Sequence, residues 1–331
     1  MKILITDYPD VIKRDLACEQ EILQKGLPGC EVEIYPYLGD REELKRVLQD
    51  TDAVLTAFLN FDEELLSAAG KLKCICFNAT GYDFVDYNAA CRRGIGIVPI
   101  GEYCTGEVAD HTMALILALE RGLKHYIRDI DERKNWQYYS GPKLQRLQGM
   151  KLGIFGFGKI GRAVAARAGA FGIRVYACDP GITKETAGEA GATLVDEDYL
   201  LEHCDIISNH MNLTENNRNF FNRDRFLKMK KHPVFINVSR GGAVDEDALT
   251  EALDRGIVSA AGLDVLREEN PDLETEKLTG RENVIITPHA AFYTEQSLAD
   301  LQRISCENAV HYLRGEYSQV NKIVNRRELG L

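Results

Sequence analysis

The sequence lacks any apolar run long enough to cross a bilayer. Hydrophobic residues make up 45% of the 331-residue chain and charged residues 27%, as in an ordinary globular protein. No segment approaches the roughly 20 consecutive apolar residues of a transmembrane helix. The N-terminal segment MKILITDYPD reaches Asp7 after one short apolar run, unlike a secretory signal. These absences argue against a membrane protein, and we expect a cytoplasmic one.

Disulfide and metal-binding patterns are also missing. The nine cysteines are scattered, only Cys74 and Cys76 are close together, and no CxxC motif or Cys/His cluster occurs. We therefore expect reduced, mostly buried thiols and no metal site.

The chain has no excess of basic residues. It carries 40 Lys and Arg against 51 Asp and Glu, a net charge of -11, with the two signs mixed throughout. Without a basic stripe, nucleic acid is not expected as a ligand. An anionic substrate needs a specifically placed cation, because the average field of the protein repels it.

Short runs rich in Val and Ile recur roughly every 20 to 25 residues between helix-like stretches, the spacing of βαβ units in parallel sheets. Together with the chain length, they predict two sheets in two domains. The first series is MKILITD, EVEIYPY, AVLTAF, KCICFNAT and GIGIVP; the second is KLGIFGFG, RVYACDP, DIISNH, PVFINVSR, AAGLDV and NVIITPH. We also predict a long helix over 105–132 with Thr105 as its N-cap, an amphipathic helix over 297–315, and an exposed loop over 267–283.

The segment GFGKIG follows the first strand of the second series. Gly156, Gly158 and Gly161 have the spacing of a dinucleotide-binding turn, a helical pattern follows, and Asp179 ends the next strand. The glycines allow a pyrophosphate to approach the backbone and the helix N-terminus, and the carboxylate can accept hydrogen bonds from an adenosine ribose. Because Asp179 would repel a 2′-phosphate, NAD is predicted over NADP. A glycine-rich turn needed only for packing is the alternative.

Four later strands of this series are followed by His210, Arg240, Asp264 and His289, at the sheet edge where ligands of doubly wound folds bind. A charged head at a buried strand end needs an anionic partner, so Arg240 is a candidate for binding a carboxylate. His289 is a candidate proton donor, and Glu269 could fix its tautomer and favour its protonated form. A lone histidine is more often structural, and His210 could line a pocket or bond a carbonyl.

The ordered set GFGKIG, CDP, NVSRGGAVDEDAL, GLDVLREE and TPHAAFYTEQ resembles the D-isomer-specific 2-hydroxyacid dehydrogenases. TPHAAFYTEQ is especially similar to their C-terminal-binding-protein branch, and NATGYDFVD and VADHTMALILAL extend the resemblance over nearly the whole chain. It implies an α/β fold with a flavodoxin-like substrate domain, residues 1–100 and 291–331. It also implies a Rossmann NAD-binding domain with a doubly wound parallel sheet, residues 101–290, and a homodimer.

The resemblance also assigns catalytic roles. Arg240 would bind the 2-oxo acid, Glu269 would pair with His289, and His289 would protonate the substrate carbonyl as hydride arrives from NADH. Glu269 is preferred over the adjacent Glu268 because it stands five residues after Asp264 and twenty before His289.

Binding roles follow in the same way. Thr80 and Gly81 would meet the substrate carboxylate together with Arg240, Phe292 would wall the substrate side chain, and Asp264 would lie at the nicotinamide carboxamide. The cofactor contacts that the resemblance and the motifs assign are Gly156, Gly158, Lys159, Ile160, Gly161, Asp179, His210, Val238, Ser239, Arg240, Asp264, His289 and Ala291.

Three positions depart from the family pattern. Asn212 in HMNLT replaces a usual proline, CFNATGYD lacks the basic residue of the C-terminal-binding-protein branch, and Phe292 replaces the tryptophan of that branch. The sequence therefore predicts neither the shape of the adenine-side pocket nor how the substrate tail binds. Phe292 becomes the leading specificity residue.

The predicted function is an NAD-dependent oxidoreductase that interconverts a small 2-oxo acid and the D-2-hydroxy acid. One alternative is an NAD(H)-responsive scaffold like the corepressors that share the fold, although their long disordered tail is not expected here. Phosphonate or phosphoglycerate oxidation is another alternative. Formate oxidation is disfavoured, since formate enzymes resemble a Gln and His pairing where this chain has Glu269.

Overall fold

A computed structural model describes residues 1–331, which divide into two compact units. Unit 1 contains Met1–Tyr103 and Thr294–Leu331, and unit 2 contains Cys104–Tyr293. The boundaries predicted from the sequence, after residues 100 and 290, lie three residues before these. No helix in the structure has both the length and the apolar character that a membrane crossing requires.

Unit 1 is built on a five-stranded parallel sheet in the flavodoxin-like order β2-β1-β3-β4-β5. Its strands are β1 (Lys2–Asp7), β2 (Glu31–Pro36), β3 (Ala53–Thr56), β4 (Cys74–Phe77) and β5 (Gly96–Pro99). Between them lie α1 (Pro9–Ile12), α2 (Ala17–Gly26), α3 (Arg41–Leu48), α4 (Glu63–Ala68) and α5 (Tyr87–Arg92). Both faces of β3, β4 and β5 are buried, as in a parallel sheet covered by helices on both sides. The five runs of the first predicted series therefore form the five strands.

Unit 2 contains a seven-stranded parallel sheet in the order β12-β11-β10-β9-β6-β7-β8. Its strands are β6 (Lys151–Phe155), β7 (Arg174–Cys178), β8 (Ala192–Leu194), β9 (Ile206–Asn209), β10 (Val234–Asn237), β11 (Ala260–Leu263) and β12 (Val284–Ile286). The strand order reverses between β6 and β9, which makes it a doubly wound Rossmann sheet. The sequence predicted six strands here. It missed β8, because three residues are too few to show a hydrophobic pattern.

The helices of unit 2 are α6 (Thr105–Glu120), α7 (Leu123–Asp131), α8 (Lys159–Ala170), α9 (Lys184–Glu189), α10 (Glu197–His203), α11 (Arg223–Leu227) and α12 (Glu246–Asp254). The single long helix predicted over 105–132 is wrong. Gly122 adopts a left-handed conformation, φ 62°, and a Cβ there would lie 3.2 Å from Pro142 Cγ. The chain therefore breaks into α6 and α7. The predicted cap is also displaced, since Thr105 is the first helical residue and Cys104 precedes it.

The last helix, α13 (Glu295–Arg314), belongs to unit 1. Thr294 and Ser297 form a capping box at its start, and Gly315, φ 76°, ends it in a left-handed conformation. Cys306, Ala309 and Val310 pack in the same apolar cluster as residues of β1, β3 and β4. The prediction of a helix over 297–315 is confirmed.

The segment after α13 binds to β5 through Asn325, whose side chain is fully buried. Its Oδ1 accepts a hydrogen bond from Ile97 N at 2.9 Å, and its Nδ2 donates to Ile95 O at 2.8 Å. Val324 N donates to Ile97 O at 2.9 Å. The side-chain amide thus replaces the backbone of a neighbouring strand along β5.

We predict that Asn325→Ala lowers the free energy of unfolding by about 2 kcal/mol, because it leaves unpaired a buried donor in β5, Ile97 N, and a buried acceptor just before it, Ile95 O. Urea unfolding followed by circular dichroism measures the loss. Asn321→Ala, at an exposed position of the same segment, should cost much less. Equal losses in the two variants would contradict this role for Asn325.

Candidate active site

The candidate residues of unit 2 lie at the carboxyl ends of its strands, around the reversal of strand order between β6 and β9. Ligands of doubly wound sheets bind at this edge. GFGKIG follows β6, Asp179 follows β7, and His210 follows β9. Arg240, Asp264 and His289 come after β10, β11 and β12. His289 stands three residues beyond Ile286, the last residue of β12, rather than ending that strand as the sequence suggested.

The GFGKIG turn depends on its glycines. Gly156 has φ 83°, and a Cβ there would lie 2.6 Å from Met211 N. A Cβ at Gly161 would collide with Gly156 O, so this glycine allows α8 to pack against the turn. A Cβ at Gly158 would meet no atom within 4 Å. Gly158 therefore borders open space at the N-terminus of α8, whose first amides have no acceptor within the helix.

Asp179 holds the same turn. Its Oδ2 accepts a hydrogen bond from Phe157 N at 2.7 Å, and its Oδ1 accepts one from Gly181 N at 2.7 Å. A carboxylate can accept about four hydrogen bonds, so lone pairs remain for two ribose hydroxyls. The open space at Gly158, the amides of Lys159, Ile160 and Gly161, and this carboxylate together fit a dinucleotide.

His210 and Ser239 join the ends of β6, β9 and β10. His210 N donates to Phe155 O at 2.7 Å, and its Nε2 lies 2.8 Å from Ser208 Oγ. Burial lowers the pKa of His210 from 6.5 to about 4, so the ring is uncharged at neutral pH. Ser239 Oγ donates to Met211 O, and the neighbouring Val238 is buried.

Arg240 is placed by the two glycines that follow it. A Cβ at Gly241 would overlap the carbonyl group of Leu266, and one at Gly242 would lie 3.0 Å from Leu213 Cδ2. The turn therefore packs directly on the backbone of the loop after β11. This packing brings the guanidinium of Arg240 close enough to affect the ionisation of Glu269, which belongs to that loop.

Glu269 and His289 form a hydrogen-bonded pair, with 2.7 Å between Glu269 Oε2 and His289 Nδ1. Burial by itself would raise the pKa of Glu269. The bond from His289 and the charges of His289 and Arg240 outweigh it, and the pKa lies below its ordinary value. An ionised carboxylate only accepts hydrogen bonds, so Nδ1 carries a proton and Nε2 is the atom left to face a substrate. Of the two adjacent glutamates, Glu269 makes this contact.

Asp264 fixes the loop that carries His289, and its side chain is almost fully buried. Oδ1 accepts hydrogen bonds from Thr287 Oγ1 at 2.6 Å and Ala290 N at 2.9 Å, and Oδ2 accepts one from Ala291 N at 2.9 Å. The backbone oxygen of Asp264 accepts a hydrogen bond from His289 N at 2.8 Å. His289 is thereby held in a left-handed conformation, φ 51°, which few residues other than glycine adopt.

Asp264 was predicted at the cofactor from the sequence, and Thr287 was not predicted as a site residue. The only available signal was that polar residues of two adjacent strand ends, LDV and TPH, should meet at one sheet edge. Ala291, also assigned to the cofactor, is buried, and its amide bonds to Asp264. The Phe292 ring is edge-on to His289, with 6.2 Å between ring centroids.

The remaining predicted residues, Thr80 and Gly81, belong to unit 1, in the loop between β4 and α5. This loop is tied to the sheet at two points. Asn78 N donates to Thr56 O at 2.7 Å, and Ile100 N donates to Ala79 O at 2.9 Å. No group of three or more His, Cys, Asp and Glu side chains in the structure is placed to hold a metal ion.

Comparison with known proteins gives consistent matches. Residues 113–291 match the NAD-binding domain of the D-isomer specific 2-hydroxyacid dehydrogenases. The chain is 33% identical to a glyoxylate reductase of Korarchaeum cryptofilum, over 90% of this chain and 92% of that protein. It is 35% identical to a D-3-phosphoglycerate dehydrogenase of Methanocaldococcus jannaschii, over 96% of this chain but 59% of that protein. The chain thus spans little more than half of that relative.

A solved structure is similar over nearly the full length. D-lactate dehydrogenase from Aquifex aeolicus, complexed with NAD and lactic acid, aligns with a TM-score of 0.87 at 29% identity. The alignment covers 97% of this chain and 98% of that chain. The shared fold therefore includes both units and is not limited to the NAD-binding domain.

The depressed pKa of His210 predicts a pH-dependent loss of stability. The unfolded chain binds a proton near pH 6.5 and the folded chain only near pH 4, so stability falls as the pH drops through this interval. At pH 4.5 the loss from this residue is about 2 kcal/mol relative to pH 7.5. Urea unfolding at both pH values should show a correspondingly smaller loss in His210→Gln. Identical losses in the two proteins would contradict the burial of an uncharged imidazole.

Proposed function

Because the chain belongs to the D-isomer-specific 2-hydroxyacid dehydrogenase family, we propose that it interconverts a small 2-oxo acid and the D-2-hydroxy acid with NAD. The observation that carries the proposal is the Glu269–His289 pair beside Arg240. In this proposal residues 101–290 form the NAD-binding domain, and residues 1–100 and 291–331 form the substrate domain. The site combines an anion-binding group with a proton donor, as reduction of a 2-oxo acid requires.

Cofactor binding rests on the geometry after β6 and β7. The amides of Lys159, Ile160 and Gly161 would bind the pyrophosphate over the open space at Gly158, and Asp179 would accept the ribose hydroxyls. His210, Val238, Ser239, Asp264 and Ala291 would line the same edge. NAD supplies or accepts the hydride when it is bound. Asp179 favours NAD over its 2′-phosphorylated form, because a phosphate there would face a carboxylate.

Substrate binding is assigned to Arg240, whose guanidinium can hold a carboxylate through two parallel hydrogen bonds. For Thr80 and Gly81, in unit 1, a substrate-binding role rests on the family resemblance alone. A fixed cation is needed, because the net charge of the protein is -11. Holding the carboxylate places the carbonyl carbon for hydride and the carbonyl oxygen for His289.

Proton transfer is assigned to His289. During reduction Nε2 of His289 donates a proton to the carbonyl oxygen of the substrate, and the carbonyl carbon gains the hydride. The carbonyl group thereby becomes the hydroxyl group of the 2-hydroxy acid. Glu269 holds Nδ1–H and stabilises the charged ring before transfer. During oxidation the neutral ring takes the hydroxyl proton, and Glu269 stabilises the charge that forms.

Small 2-oxo acids are the favoured substrates. Similar proteins are named glyoxylate reductase and D-lactate dehydrogenase, which places glyoxylate and pyruvate first in a substrate panel. Phe292, edge-on to His289, would give the side-chain site an apolar wall. D-3-phosphoglycerate is a second candidate because of the relatives with that name. Against it, the predicted substrate loop CFNATGYD contains no basic residue that could bind a phosphate.

A second copy of the chain is the partner that we propose. Three apolar residues of α7 are exposed, Leu123, Ile127 and Ile130, and Trp136 and Tyr138 in the following loop are more than four-fifths exposed. Exposed apolar side chains that form a large patch mark an interface. Sedimentation as a monomer at micromolar concentration would rule the homodimer out.

The catalytic assignment predicts distinct effects for adjacent glutamates. With glyoxylate or pyruvate and NADH, His289→Ala should lower kcat by about 10²- to 10⁴-fold, because it removes the proton donor. Glu269→Gln should also lower kcat, since a neutral amide stabilises the charged ring less. Glu268→Gln is the matched control and should leave turnover near that of the wild type. The measurement is the rate at which NADH absorbance is lost.

Three outcomes would contradict the assignment. They are no NADH-dependent turnover with any 2-oxo acid of the panel, unchanged turnover in His289→Ala, and equal effects of the substitutions at positions 268 and 269. NADH-dependent capture of a peptide by a His289→Ala protein that never showed turnover would instead support the scaffold alternative.

A further inference from the structure

Helix α6 packs closely on β11, because a glycine in that strand leaves room for it. A Cβ at Gly262 would lie 3.1 Å from Leu115 Cβ and 3.2 Å from Leu119 Cδ1, both on α6. It would also lie 2.8 Å from Ile236 Cδ1 on the neighbouring strand. A side chain larger than hydrogen at residue 262 would therefore push the helix away from the sheet.

This packing sets the position of His111. Residues 111, 115 and 119 are four apart and share one face of α6. One step of four residues along a helix is about 6 Å, close to the rise of the two residue steps along the chain from Gly262 to Asp264. With Leu115 over Gly262, His111 is carried to the carboxyl end of β11. Its Nε2 lies 3.0 Å from Thr287 Oγ1 and 3.6 Å from Asp264 Oδ1.

The direction of each hydrogen bond follows from the number of protons. A threonine hydroxyl has one proton, and Thr287 uses it to donate a hydrogen bond to the Asp264 carboxylate at 2.6 Å. The hydroxyl oxygen can then only accept from His111, so His111 Nε2 must carry a proton. The result is a directed chain in which His111 donates to Thr287 and Thr287 donates to Asp264.

We propose that His111 is a positioning residue that keeps His289 in its proton-donating geometry. It acts through Thr287 and Asp264, and the inference rests on the role proposed for His289. The Asp264 carboxylate accepts hydrogen bonds from Ala290 N and Ala291 N, and the Asp264 backbone carbonyl accepts one from His289 N. The orientation of Asp264 therefore determines the path of the loop after β12.

A left-handed backbone at a residue other than glycine persists only where its surroundings impose it. At His289 these surroundings are the bonds to Asp264. Without the donor on α6, the hydroxyl of Thr287 is free to rotate and to leave the carboxylate. The loop then gains freedom at the residue whose imidazole must stay 2.7 Å from Glu269. Displacement of a catalytic group by about 1 Å can cost as much as 10²-fold in rate.

The test compares two substitutions of His111. The amide nitrogen of Gln can reach Thr287 Oγ1 and donate as Nε2 does, whereas Leu has a similar size and no donor. His111→Leu should lower kcat about tenfold or more, with little change in KM for NADH, and His111→Gln should restore most of kcat. Wild-type kcat in His111→Leu, or equal losses in both variants, would overturn the proposal.

A second readout does not depend on turnover. The chain has seven histidines, so ¹⁵N-histidine labelling yields few imidazole signals, and His289→Ala identifies those of His289. We expect the His289 nitrogen shifts to change in His111→Leu and to return in His111→Gln. Unchanged shifts in His111→Leu would overturn the proposal. If no 2-oxo acid is reduced, the proposed function fails, while these shifts still decide whether His111 positions His289.

Substitution of Thr287 covers the case in which His111→Leu does not fold. Thr287→Ser keeps the hydroxyl that links His111 to Asp264, and Thr287→Val keeps the shape but removes it. The proposal predicts the altered His289 shifts and the low kcat in Thr287→Val only. Equal behaviour of the two variants would overturn it.

Discussion

The buried carboxylate of Asp264 is the constraint on which the candidate active site depends. It stands at the end of β11, and it accepts three hydrogen bonds from the loop that follows β12. A buried carboxylate is costly unless its oxygens are satisfied, so the loop has little freedom to move away. His289 gains its unusual backbone conformation, and hence its distance to Glu269, from this carboxylate. One side chain thus couples the edge of the sheet to the proposed proton donor.

Close backbone packing brings the other polar side chains of the site to the same place. Gly241 allows the turn after β10 to touch the loop after β11, which places Arg240 near Glu269. Gly262 allows α6 to pack on β11, which places His111 beside Thr287. The site is therefore assembled by glycines that serve no chemistry themselves. Arg240, Glu269 and His289 come from three separate segments of the chain. These segments meet at one edge of a parallel sheet.

Much of this arrangement could be predicted from the sequence. The five strands of unit 1, the GFGKIG turn and α13 have regular apolar spacing or a recognisable cap, and the family pattern pointed to Glu269 and His289. Strand β8 was missed because it is only three residues long, and the break at Gly122 because a single glycine is tolerated in a helical pattern. The links between Asp264, Thr287 and His111 are tertiary contacts, and no local pattern encodes them. The roles of Thr80, Gly81 and Phe292 toward substrate stay predictions.

The central claim is that one imidazole, His289, exchanges the proton of the reaction. Its most direct test is the pH dependence of kcat/KM in both directions. Reduction needs the charged imidazole of His289, so kcat/KM for reduction should fall as the pH rises. Oxidation needs the neutral imidazole, so kcat/KM for oxidation should fall as the pH drops. The account predicts that one ionisation governs both profiles and that it disappears in His289→Gln. Profiles in which the two directions depend on pH in the same sense, or that keep this ionisation in His289→Gln, would contradict it.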